Sequence, residues 1–507
     1  MRVRYIGHAG FEVRSQQGTT LLVDPWLSPH GAFLHSWFQF PQNHHLAEEV
    51  AELEAQDGLL YLSHHHRDHF DRDFLARLDK DTPLVVPRFV RRHFVKELKQ
   101  LGFRDITELL FGETVSKRGF RLTLFVDDSY SNEDSGVLIE ADGTRFLNMN
   151  DCRAYDRIDA DSLQPLDLFT IQFSGASWFP SVYDYPKELR DQHAAAKNQR
   201  KFANIRKLIE RLEPKLYVPS AGPACFLDEP LQGFNFGDPS PFPDALDFFE
   251  QLRAIDQRSE HIFAGDVIAL QSDHEPVVER AGDFDESIYT DKEKYVAAYA
   301  AIMRANAAYG TPEHDAWDDL VSALRAKLAA LRKPLETTHR LAFSLIERPD
   351  KPPAHLVIDF QASELHEVDN IPHENVYHYT VENAVMRKFL DDRELWEDFH
   401  LSLRFAIHRN PDVFDVAISD FVRLEASNLG RYPFKQRTDE RIRAHIDGKL
   451  YEFDRYCPHQ GGDLQQASFE DGAVICPRHA WKFCLNKGGA CTDNATTINA
   501  SVVDDAD

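Results

Sequence analysis

The sequence has few cysteines, an excess of negative charge and no long apolar run. Six cysteines in 507 residues are too few for a disulfide-stabilised secreted scaffold, so a reducing cytoplasm is the expected compartment. The 57 Lys and Arg residues are outnumbered by 83 Asp and Glu residues, which gives a net charge of −26. This charge argues against binding to nucleic acid or to an anionic membrane. No apolar run reaches the roughly 18 residues that a membrane span needs.

The remaining composition is typical of a large folded protein. Apolar residues make up 43% and charged residues 28%, which excludes a largely disordered chain. At about 150 residues per domain, the length predicts roughly three domains. The first residues, from Met1 to His8, lack the apolar core and cleavage site of a signal peptide, and we expect them to form a strand.

The first part of the chain alternates short apolar runs with helical stretches. Runs of Leu, Val, Ile and Phe bounded by Gly, Pro or Asp predict buried strands. The predicted strands are residues 3–6, 20–23, 59–63, 84–86, 120–126, 136–140, 145–148, 168–173 and 215–218. Residues 200–212 carry apolar side chains at helical spacing and end just before Pro214. Residues 1–268 are therefore predicted to form an α/β domain.

The rest of the chain predicts two further regions. Residues 269–425 predict an α+β middle region without a catalytic motif. Its predicted helices are residues 317–331, 380–390 and 392–407, and its predicted strands are residues 339–347 and 354–360. Residues 426–507 contain short strands and turns, with Asp447-Gly448 as a hairpin turn, and predict a small all-β domain.

Two Cys–His pairs lie near the C-terminus. Cys457 and His459 form one pair, and Cys476 and His479 form the other after sixteen intervening residues. Two thiolates and two imidazoles can hold one Zn²⁺ ion or a 2Fe–2S cluster with a Cys₂ iron and a His₂ iron. Each pair supplies one residue of each type, which suits a cluster held between two loops.

The residues around both pairs resemble the Rieske 2Fe–2S domain. The quoted similarity runs through CPHQGG from Cys457 and CPRHAWKF from Cys476. It implies that Cys457, His459, Cys476 and His479 hold the cluster. Neither loop carries a further cysteine, so the site resembles the ferredoxin and oxygenase type, which passes electrons to a second metal. The two later cysteines, at positions 484 and 491, are expected to be structural.

A histidine-rich motif follows the predicted strand 59–63. It reads HHHRDH, and His64, His66, Asp68 and His69 are its predicted metal ligands. Burying these groups together would be costly without a cation, and they are borderline ligands that suit Zn²⁺, Fe²⁺ or Mn²⁺. The alternative is a solvated surface loop. His65 is expected to point away from the metal, because alternate residues leave a strand on opposite sides.

This motif and the segments GHAG at 7–10 and DPWL at 24–27 resemble the metallo-β-lactamase fold. The resemblance implies an αββα sandwich with metals at one edge. A closer similarity is to the CMP-N-acetylneuraminate hydroxylase family, which are Rieske monooxygenases. It is carried by residues 24–27, 31–33, 64–69, 147–152, 173–180 and 217–222. That family places its Rieske domain first, whereas here it comes last, so the resemblance does not imply a sialic acid substrate.

The chain departs from hydrolytic members of this fold at two expected histidine positions. Tyr130 falls at one of them, and residues 220–222 (SAG) fall at the other. Asp151 matches the bridging aspartate position and is a further predicted ligand. Asp134 is a weaker candidate with turn capping as its alternative, and the role of Asp127 is left open. A two-zinc hydrolase is thereby disfavoured, one or two non-haem irons are favoured, and zinc remains the alternative metal.

Both motifs in one chain predict a Rieske-type non-haem iron monooxygenase that acts on a small polar metabolite and O₂. Electrons would pass from an external ferredoxin or flavin reductase through the 2Fe–2S cluster to iron, with Asp68 and Asp151 as catalytic carboxylates. A metal-dependent hydrolase of the lactonase or phosphodiesterase type is the alternative. An electron-transfer protein with an inert N-terminal scaffold is a third reading. The substrate, C–H or N oxygenation and a homo-oligomeric state are left open.

A basic group of residues has two readings. Arg153, Lys187 and the run 200–207 could meet an anionic substrate, or could form a solvated helix face, which composition favours.

Overall fold

The computed structural model describes residues 1–129, 132–175, 177–253, 255, 257–303, 314–431, 439–492, 494 and 496–503. The chain divides into two compact units. The first comprises Met1–Asp128, Asn132–Ser177 and Asp191–Ala308, and the second comprises Ser129–Ser131, Trp178–Arg190 and Tyr309–Asp507. The division into regions 1–268, 269–425 and 426–507 stays a prediction.

Two sheets form the first unit. Its strands are β1 (Arg2–Gly7), β2 (Gly10–Arg14), β3 (Thr20–Val23), β4 (Gly58–Tyr61), β5 (Leu84–Pro87), β6 (Ile106–Leu109), β7 (Thr114–Lys117), β8 (Phe120–Ser129), β9 (Asn132–Ala141), β10 (Thr144–Asn148), β11 (Leu168–Gln172), β12 (Leu216–Ser220), β13 (Val267–Ala269) and β14 (Val277–Glu279). One sheet has the order β14-β13-β1-β2-β3-β4-β5-β6, and the other has the order β12-β11-β10-β9-β8-β7. Strands β3 to β6 are parallel, as are β10 to β12.

Helices connect these strands. They are α1 (Ala47–Asp57), α2 (Arg72–Arg77), α3 (His93–Gln100), α4 (Ala160–Leu163), α5 (Lys187–Leu212), α6 (Glu229–Gln232), α7 (Ala245–Leu252), α8 (Ser287–Thr290) and α9 (Lys292–Met303). The helix predicted over residues 200–212 corresponds to the C-terminal half of α5. The observed helix begins earlier, at Lys187. A reciprocal capping box between Asp244 and Asp247 begins α7.

Apolar side chains of the two sheets share one core. Phe11 and Leu60 of the first sheet belong to the same buried cluster as Leu124 and Ile139 of the second, and Phe94 of α3 joins it. A separate cluster packs the helices α5 and α7 on residues such as Phe169 and Ile171 of β11. Helices therefore cover two face-to-face sheets, and the predicted αββα sandwich is confirmed.

Every predicted strand of the first unit overlaps an observed one, but five observed strands escape the prediction. Two of them, β13 and β14, are only three residues long. Strands β6 and β7 carry polar residues and are only half-buried, so they lack an apolar run. Strand β2 includes a buried charged residue, Glu12, which is paired with Arg4 and Arg14. Partners elsewhere in the chain stabilise these three strands, and a local pattern does not reveal them.

The second unit begins with a five-stranded sheet. Its strands are β15 (Arg340–Ile346), β16 (Ala354–Asp359), β17 (Glu364–Val368), β18 (Val376–Glu382) and β19 (Ala406–Asn410), in the order β17-β16-β15-β18-β19. Its helices are α10 (Trp317–Ala330), α11 (Asn383–Asp392), α12 (Trp396–Leu401), α13 (Val416–Arg423) and α14 (Ala426–Leu429).

Two helix boundaries predicted in this sheet region are wrong. Residues 380–382 belong to β18, which pairs in parallel with β15 and antiparallel with β19, so α11 begins only at Asn383. The predicted helix 392–407 is helical only over α12, and its end enters β19. Strand pairing overrides the local helical pattern at both places.

Short strands form the C-terminal part of the second unit. They are β20 (Arg441–Ile446), β21 (Lys449–Asp454), β22 (Ser468–Glu470), β23 (Ala473–Ile475), β24 (Lys482–Cys484), β25 (Ala490–Cys491) and β26 (Ser501–Val502). They form sheets in the orders β20-β21-β26 and β22-β23-β24-β25. Asp447 and Gly448 both have positive φ, as a type I′ turn requires, which confirms the predicted hairpin. Among the described residues, no helix has the length and apolarity to cross a membrane.

Candidate metal centre

The histidine-rich motif lies at the carboxyl ends of parallel strands. Asp24 directly follows β3, and residues 62–69 follow β4, which pairs with β3 in parallel register. Asp151 lies three residues after β10. Residues that follow neighbouring strands meet at one edge, as the αββα resemblance implies.

Asp24 orients two of the histidines. Its carboxylate accepts hydrogen bonds from the Ser63 backbone N–H (2.8 Å), the Ser63 hydroxyl (2.5 Å) and the Nδ1–H of His69 (2.8 Å). Because the Ser63 hydroxyl donates to Asp24, its oxygen accepts from Nδ1 of His64, 2.9 Å away. In their neutral forms both imidazoles therefore carry the proton on Nδ1 and leave Nε2 unprotonated, the tautomer that a metal ligand needs.

Three of the predicted ligands come together. His64, His69 and Asp151 each offer a ligand atom, and these atoms lie within 4.8 Å of one another. Nε2 of His69 lies 3.5 Å from Oδ1 of Asp151 and 3.8 Å from Oδ2 of Asp68. Nε2 of His64 lies 2.8 Å from Nδ1 of His66, so His66, another predicted ligand from the motif, also lies close to this group.

His8 belongs to this group although it was absent from the predicted ligand set. His8, Asp68 and His69 form a second group of ligand atoms within 4.8 Å of one another. Nε2–H of His8 donates to Oδ2 of Asp68 at 2.9 Å. His8 lies in the turn between β1 and β2 with a φ of 55°. The GHAG segment that carried the fold resemblance was the available signal for it.

The remaining candidates lie around this group. Asp134 is buried, and its Oδ1 lies 3.3 Å from Nδ1 of His64. Asp127 is buried and accepts a 3.5 Å hydrogen bond from the amide of Asn132. The ring of His65 packs edge-on against that of His93, with centroids 4.2 Å apart. Tyr130 lies outside the described residues.

The electrostatics of the group favour a bound cation. Burial lowers the pKa of His69, but the charges of Asp68 and Asp151 outweigh burial and raise it well above its ordinary value. Burial, together with the charge of Asp151, raises the pKa of Asp134 well above its usual range. Both directions reflect several carboxylates held close together in a medium of low dielectric.

The donor atoms fit a metal ion. Nε2 of His69, Oδ1 of Asp68 and Oδ1 of Asp151 are all buried, and they make no hydrogen bond to the described residues. Leaving such atoms unpaired costs free energy, whereas a cation among them would satisfy all three. Imidazole nitrogens and carboxylate oxygens suit Fe²⁺ and Zn²⁺ alike.

The two C-terminal Cys–His pairs lie at the tips of two loops. The first loop is closed by hydrogen bonds from Cys457 N to Gly462 O and from Gly461 N to Cys457 O, and the second by a bond from Cys476 N to Trp481 O, all at 2.9 Å. A Cβ atom at Gly462 would lie 2.9 Å from Sγ of Cys476, so only glycine lets the loops approach this closely.

Thiols and imidazoles lie at different depths in these loops. Cys457 and Cys476 are each 1% exposed, whereas His459 and His479 are half-buried, with ring centroids 4.5 Å apart. A hydrogen bond from Cys457 lowers the pKa of Cys476, while burial raises the pKa of Cys457 well above its ordinary value. Neighbouring buried thiols with two outer imidazoles fit a cluster that has a buried Cys₂ iron and an exposed His₂ iron.

Aromatic side chains cover one of the imidazoles. The ring of Trp481 stacks on that of His459 with centroids 4.1 Å apart and an interplanar angle of 7°. Phe414 lies edge-on to both rings, at 6.4 Å and 6.2 Å. Cys484 and Cys491 are half-buried. Neither they nor the two cysteines within the loops form a disulfide.

Two family profiles match the chain. A β-lactamase superfamily domain matches residues 2–220, and a Rieske [2Fe-2S] domain matches residues 433–501. The protein therefore combines a metallo-β-lactamase-like domain with a C-terminal Rieske domain.

Curated relatives cover the chain from end to end. A protein of Mycolicibacterium smegmatis, by name a Rieske 2Fe-2S iron-sulfur protein, is 30% identical over 97% of this chain and 98% of its own length. A Mycobacterium tuberculosis protein of the same description is 30% identical over 99% of this chain and 100% of its own length. The chain belongs to this family of Rieske 2Fe-2S iron-sulfur proteins.

Part of the chain is also similar to hydroxylases. Cytidine monophosphate-N-acetylneuraminic acid hydroxylase of Danio rerio is 28% identical over 43% of this chain and 37% of its own length. The diiron β-hydroxylase CmlA of Streptomyces venezuelae is 20% identical over 55% of this chain and 54% of that structure, with a TM-score of 0.36. The predicted family resemblance, the 2Fe–2S cluster and the oxidoreductase class of Rieske-type hydroxylases are confirmed.

Proposed function

We propose that this protein is a Rieske-type non-haem iron monooxygenase that hydroxylates a small polar metabolite. One observation carries the proposal: a single chain contains both a Rieske domain and a buried His and Asp group in which Nε2 of His69, Oδ1 of Asp68 and Oδ1 of Asp151 make no hydrogen bond to the described residues. A hydrolase has no use for an electron carrier, whereas an oxygenase needs one. The three-region division 1–268, 269–425 and 426–507 is part of this proposal.

In the first unit, His64, His66, Asp68, His69 and Asp151 are the proposed ligands. Iron bound there would supply O₂ binding and one-electron chemistry. Asp24 keeps the proton of His69 on Nδ1, and through the Ser63 hydroxyl it keeps that of His64 on Nδ1 as well. Both rings are thus oriented before any ion binds, which lowers the cost of assembling the site.

In the second unit, Cys457, Cys476, His459 and His479 are the proposed ligands of the 2Fe–2S cluster. The buried thiolates anchor the cluster in the domain, while the half-buried imidazoles face outward. Electrons would therefore enter and leave through the imidazole side. The stacked indole of Trp481 shields His459 from water on one face.

The proposed reaction needs an external electron donor. One atom of O₂ enters the substrate and the other leaves as water, which consumes two electrons and two protons. A ferredoxin or a flavin reductase would supply the electrons singly through the cluster. Either the cluster of the same chain or that of a second copy in a homo-oligomer would deliver them.

Metal analysis combined with two variants tests this proposal. The wild-type protein should contain two cluster irons with inorganic sulfide and one or two further irons per chain. His69→Ala should lose the further iron and keep the EPR signal of the reduced cluster. Cys457→Ser should show the opposite result to His69→Ala: it should lose the cluster and keep the further iron.

Activity then separates the oxygenase from its alternative. Wild-type protein reduced with dithionite should re-oxidise on addition of O₂, and His69→Ala should re-oxidise at a much lower rate. Zinc alone at the first site, or substrate turnover that is unchanged without O₂, would overturn the oxygenase proposal. Those results would favour a metal-bound hydroxide and a hydrolase of the lactonase or phosphodiesterase type.

A further inference from the structure

Three basic side chains, those of Arg153, Lys197 and Lys201, lie within electrostatic reach of one another, and Lys201 also lies within reach of Asp151. Lys197 and Lys201 are four residues apart on α5 and therefore share one helix face, and Arg153 follows Asp151 by two residues. Among the described residues, none of the three makes an ion pair with a carboxylate within 4.0 Å.

Hydrogen bonds fix Lys201 next to the metal-site loop. Its ammonium donates to Oε1 of Gln172 at 2.5 Å, and the backbone N–H of Gln172 donates to the carbonyl of Asn150 at 2.9 Å. Asn150 directly precedes Asp151. Lys201 is thereby tied through one side chain to the residue beside a proposed ligand.

Gly175 makes room for this ammonium. A Cβ atom at position 175 would lie 2.3 Å from Nζ of Lys201 and 2.3 Å from Oε1 of Gln172. Any side chain at this position would displace the ammonium or the amide. The Lys201 ammonium therefore occupies space that is open only because residue 175 has no side chain.

The two ammonium groups keep unused donors. Each lysine ammonium has three N–H donors. Lys201 uses one on Gln172, and Lys197 uses one on the Pro241 carbonyl at 2.8 Å. Both residues are half-buried. The ammonium of Lys197 also lies 5.2 Å from the centroid of the Phe242 ring, whereas the buried Lys327 donates to two carbonyls and lies over the ring of Trp396.

Burial, and then the nearby positive charge of Arg153, make the protonated lysines costly without an anion. Burial lowers the pKa of Lys197 to about 7, and the charge of Arg153 lowers it further. Burial and Arg153 also lower the pKa of Lys201, although Asp151 opposes them. An anion placed among the three groups would offset this cost.

We propose that Arg153, Lys197 and Lys201 form a subsite that binds an oxyanion of the substrate, a carboxylate or a phosphate, beside Asp151. The inference rests on the proposed function, since it takes the neighbouring group as the reaction centre. An oxyanion held there would place an adjacent carbon or nitrogen atom of the substrate toward the metal ligands. The substrate class is then a small anionic metabolite.

Calorimetric titration of the holoenzyme with inorganic phosphate and with acetate, at constant ionic strength, tests the subsite. At least one anion should bind to the wild-type protein. Lys201→Met should weaken that binding about tenfold or more, because it removes a charge-assisted hydrogen bond. Lys197→Met and Gly175→Ala should also weaken it, the latter with no change in charge. Arg200→Ala, which removes one exposed positive charge from the same helix, should bind as wild type does.

The outcomes separate the subsite from the reaction. Phosphate binding more tightly than acetate would assign the oxyanion as a phosphate, and the reverse would assign a carboxylate. If neither anion binds, or if Lys197→Met and Gly175→Ala bind the anion as wild type does, the subsite is refuted. Because binding is measured without O₂, a subsite that binds anions while reduced protein fails to consume O₂ would refute only the proposed function.

Discussion

Replacing Asp24 by Asn should weaken metal binding at the first site without affecting the cluster. Asp24 is fully buried and faces three donors, of which the Ser63 backbone N–H cannot change its role. The amide oxygen of Asn must therefore face that N–H, and its NH₂ group must face His69 and the Ser63 hydroxyl. His69 Nδ1 then has to accept, so its proton moves to Nε2, the atom that should bind the metal.

The same change passes to a second ligand. With the NH₂ group donating to its oxygen, the Ser63 hydroxyl would donate to His64 Nδ1, which moves the His64 proton to Nε2 as well. Losing the carboxylate that orients a ligand typically costs 10- to 100-fold in metal affinity, or about 1.4 to 2.7 kcal/mol. Because two ligands are affected, we expect a loss near the upper end of that range.

Chelator competition with iron and EPR of the reduced cluster form the assay. The matched control is Asp71→Asn. The Asp71 carboxylate accepts hydrogen bonds from the backbone N–H groups of Leu27, Ser28 and Phe74, and among the described residues it is hydrogen-bonded to no histidine. This control should lower the thermal midpoint and leave iron affinity unchanged. Wild-type iron affinity in Asp24→Asn, or an equal loss in Asp71→Asn, would refute the tautomer argument.

Three further predictions concern the cluster, the core and the pH dependence. Gly462→Ala should reduce sulfide and EPR-active cluster per chain, because its Cβ would lie 2.9 Å from Sγ of Cys476. Phe202→Ala should lower the free energy of unfolding by about 3 to 5 kcal/mol in urea, because it empties part of the α5 core. Burial lowers the pKa of His378 to about 4, so the free energy of unfolding should decrease as pH falls from about 6.5 to about 4. In His378→Gln this decrease should be smaller by about 2 kcal/mol, a value that allows for solvent screening.

Each of these predictions has its own control. Gly472 lies at positive φ, unlike Gly462, and a Cβ there would have its nearest contact at 3.6 Å. Gly472→Ala should therefore retain the cluster, and equal cluster loss in both variants would count against the steric argument. Lys207→Ala, exposed on the same helix as Phe202, should change stability by less than about 0.5 kcal/mol. The exposed His366→Gln should leave the acid-induced loss of stability intact, and the argument fails if it matches His378→Gln.

The sign of the pH effect follows from the direction of the shift. The His378 side chain is held by a 2.7 Å hydrogen bond from Ser344, and its folded-state pKa lies below the unfolded value. Between the two pKa values the unfolded chain binds more protons than the folded one. Stability from this group is therefore full above the unfolded pKa and is lost as pH falls toward the folded pKa.

Local sequence patterns predicted most strands of the first unit and supplied the candidate residues of both sites. Apolar runs identified strands such as β3, because burial on both faces requires continuous hydrophobicity. The same reasoning failed at β2, β6 and β7, which carry polar residues, and at β13 and β14, which are only three residues long; partners across the sheet stabilise these strands. It also took residues 380–382 for helix, because strand pairing rather than local propensity decides that segment.

The sequence by itself determined the ligand chemistry, because the Cys–His pairs and the histidine-rich motif each span only a few residues. Ligands so close along the chain meet a common ion with little help from distant parts. Only the tertiary structure placed His8 beside Asp68, 60 residues away, and Asp24 beside His69, 45 residues away. It also brought Lys201 over Gly175. These contacts depend on which strand ends lie side by side, and strand order is fixed by packing of the whole domain rather than by any local segment.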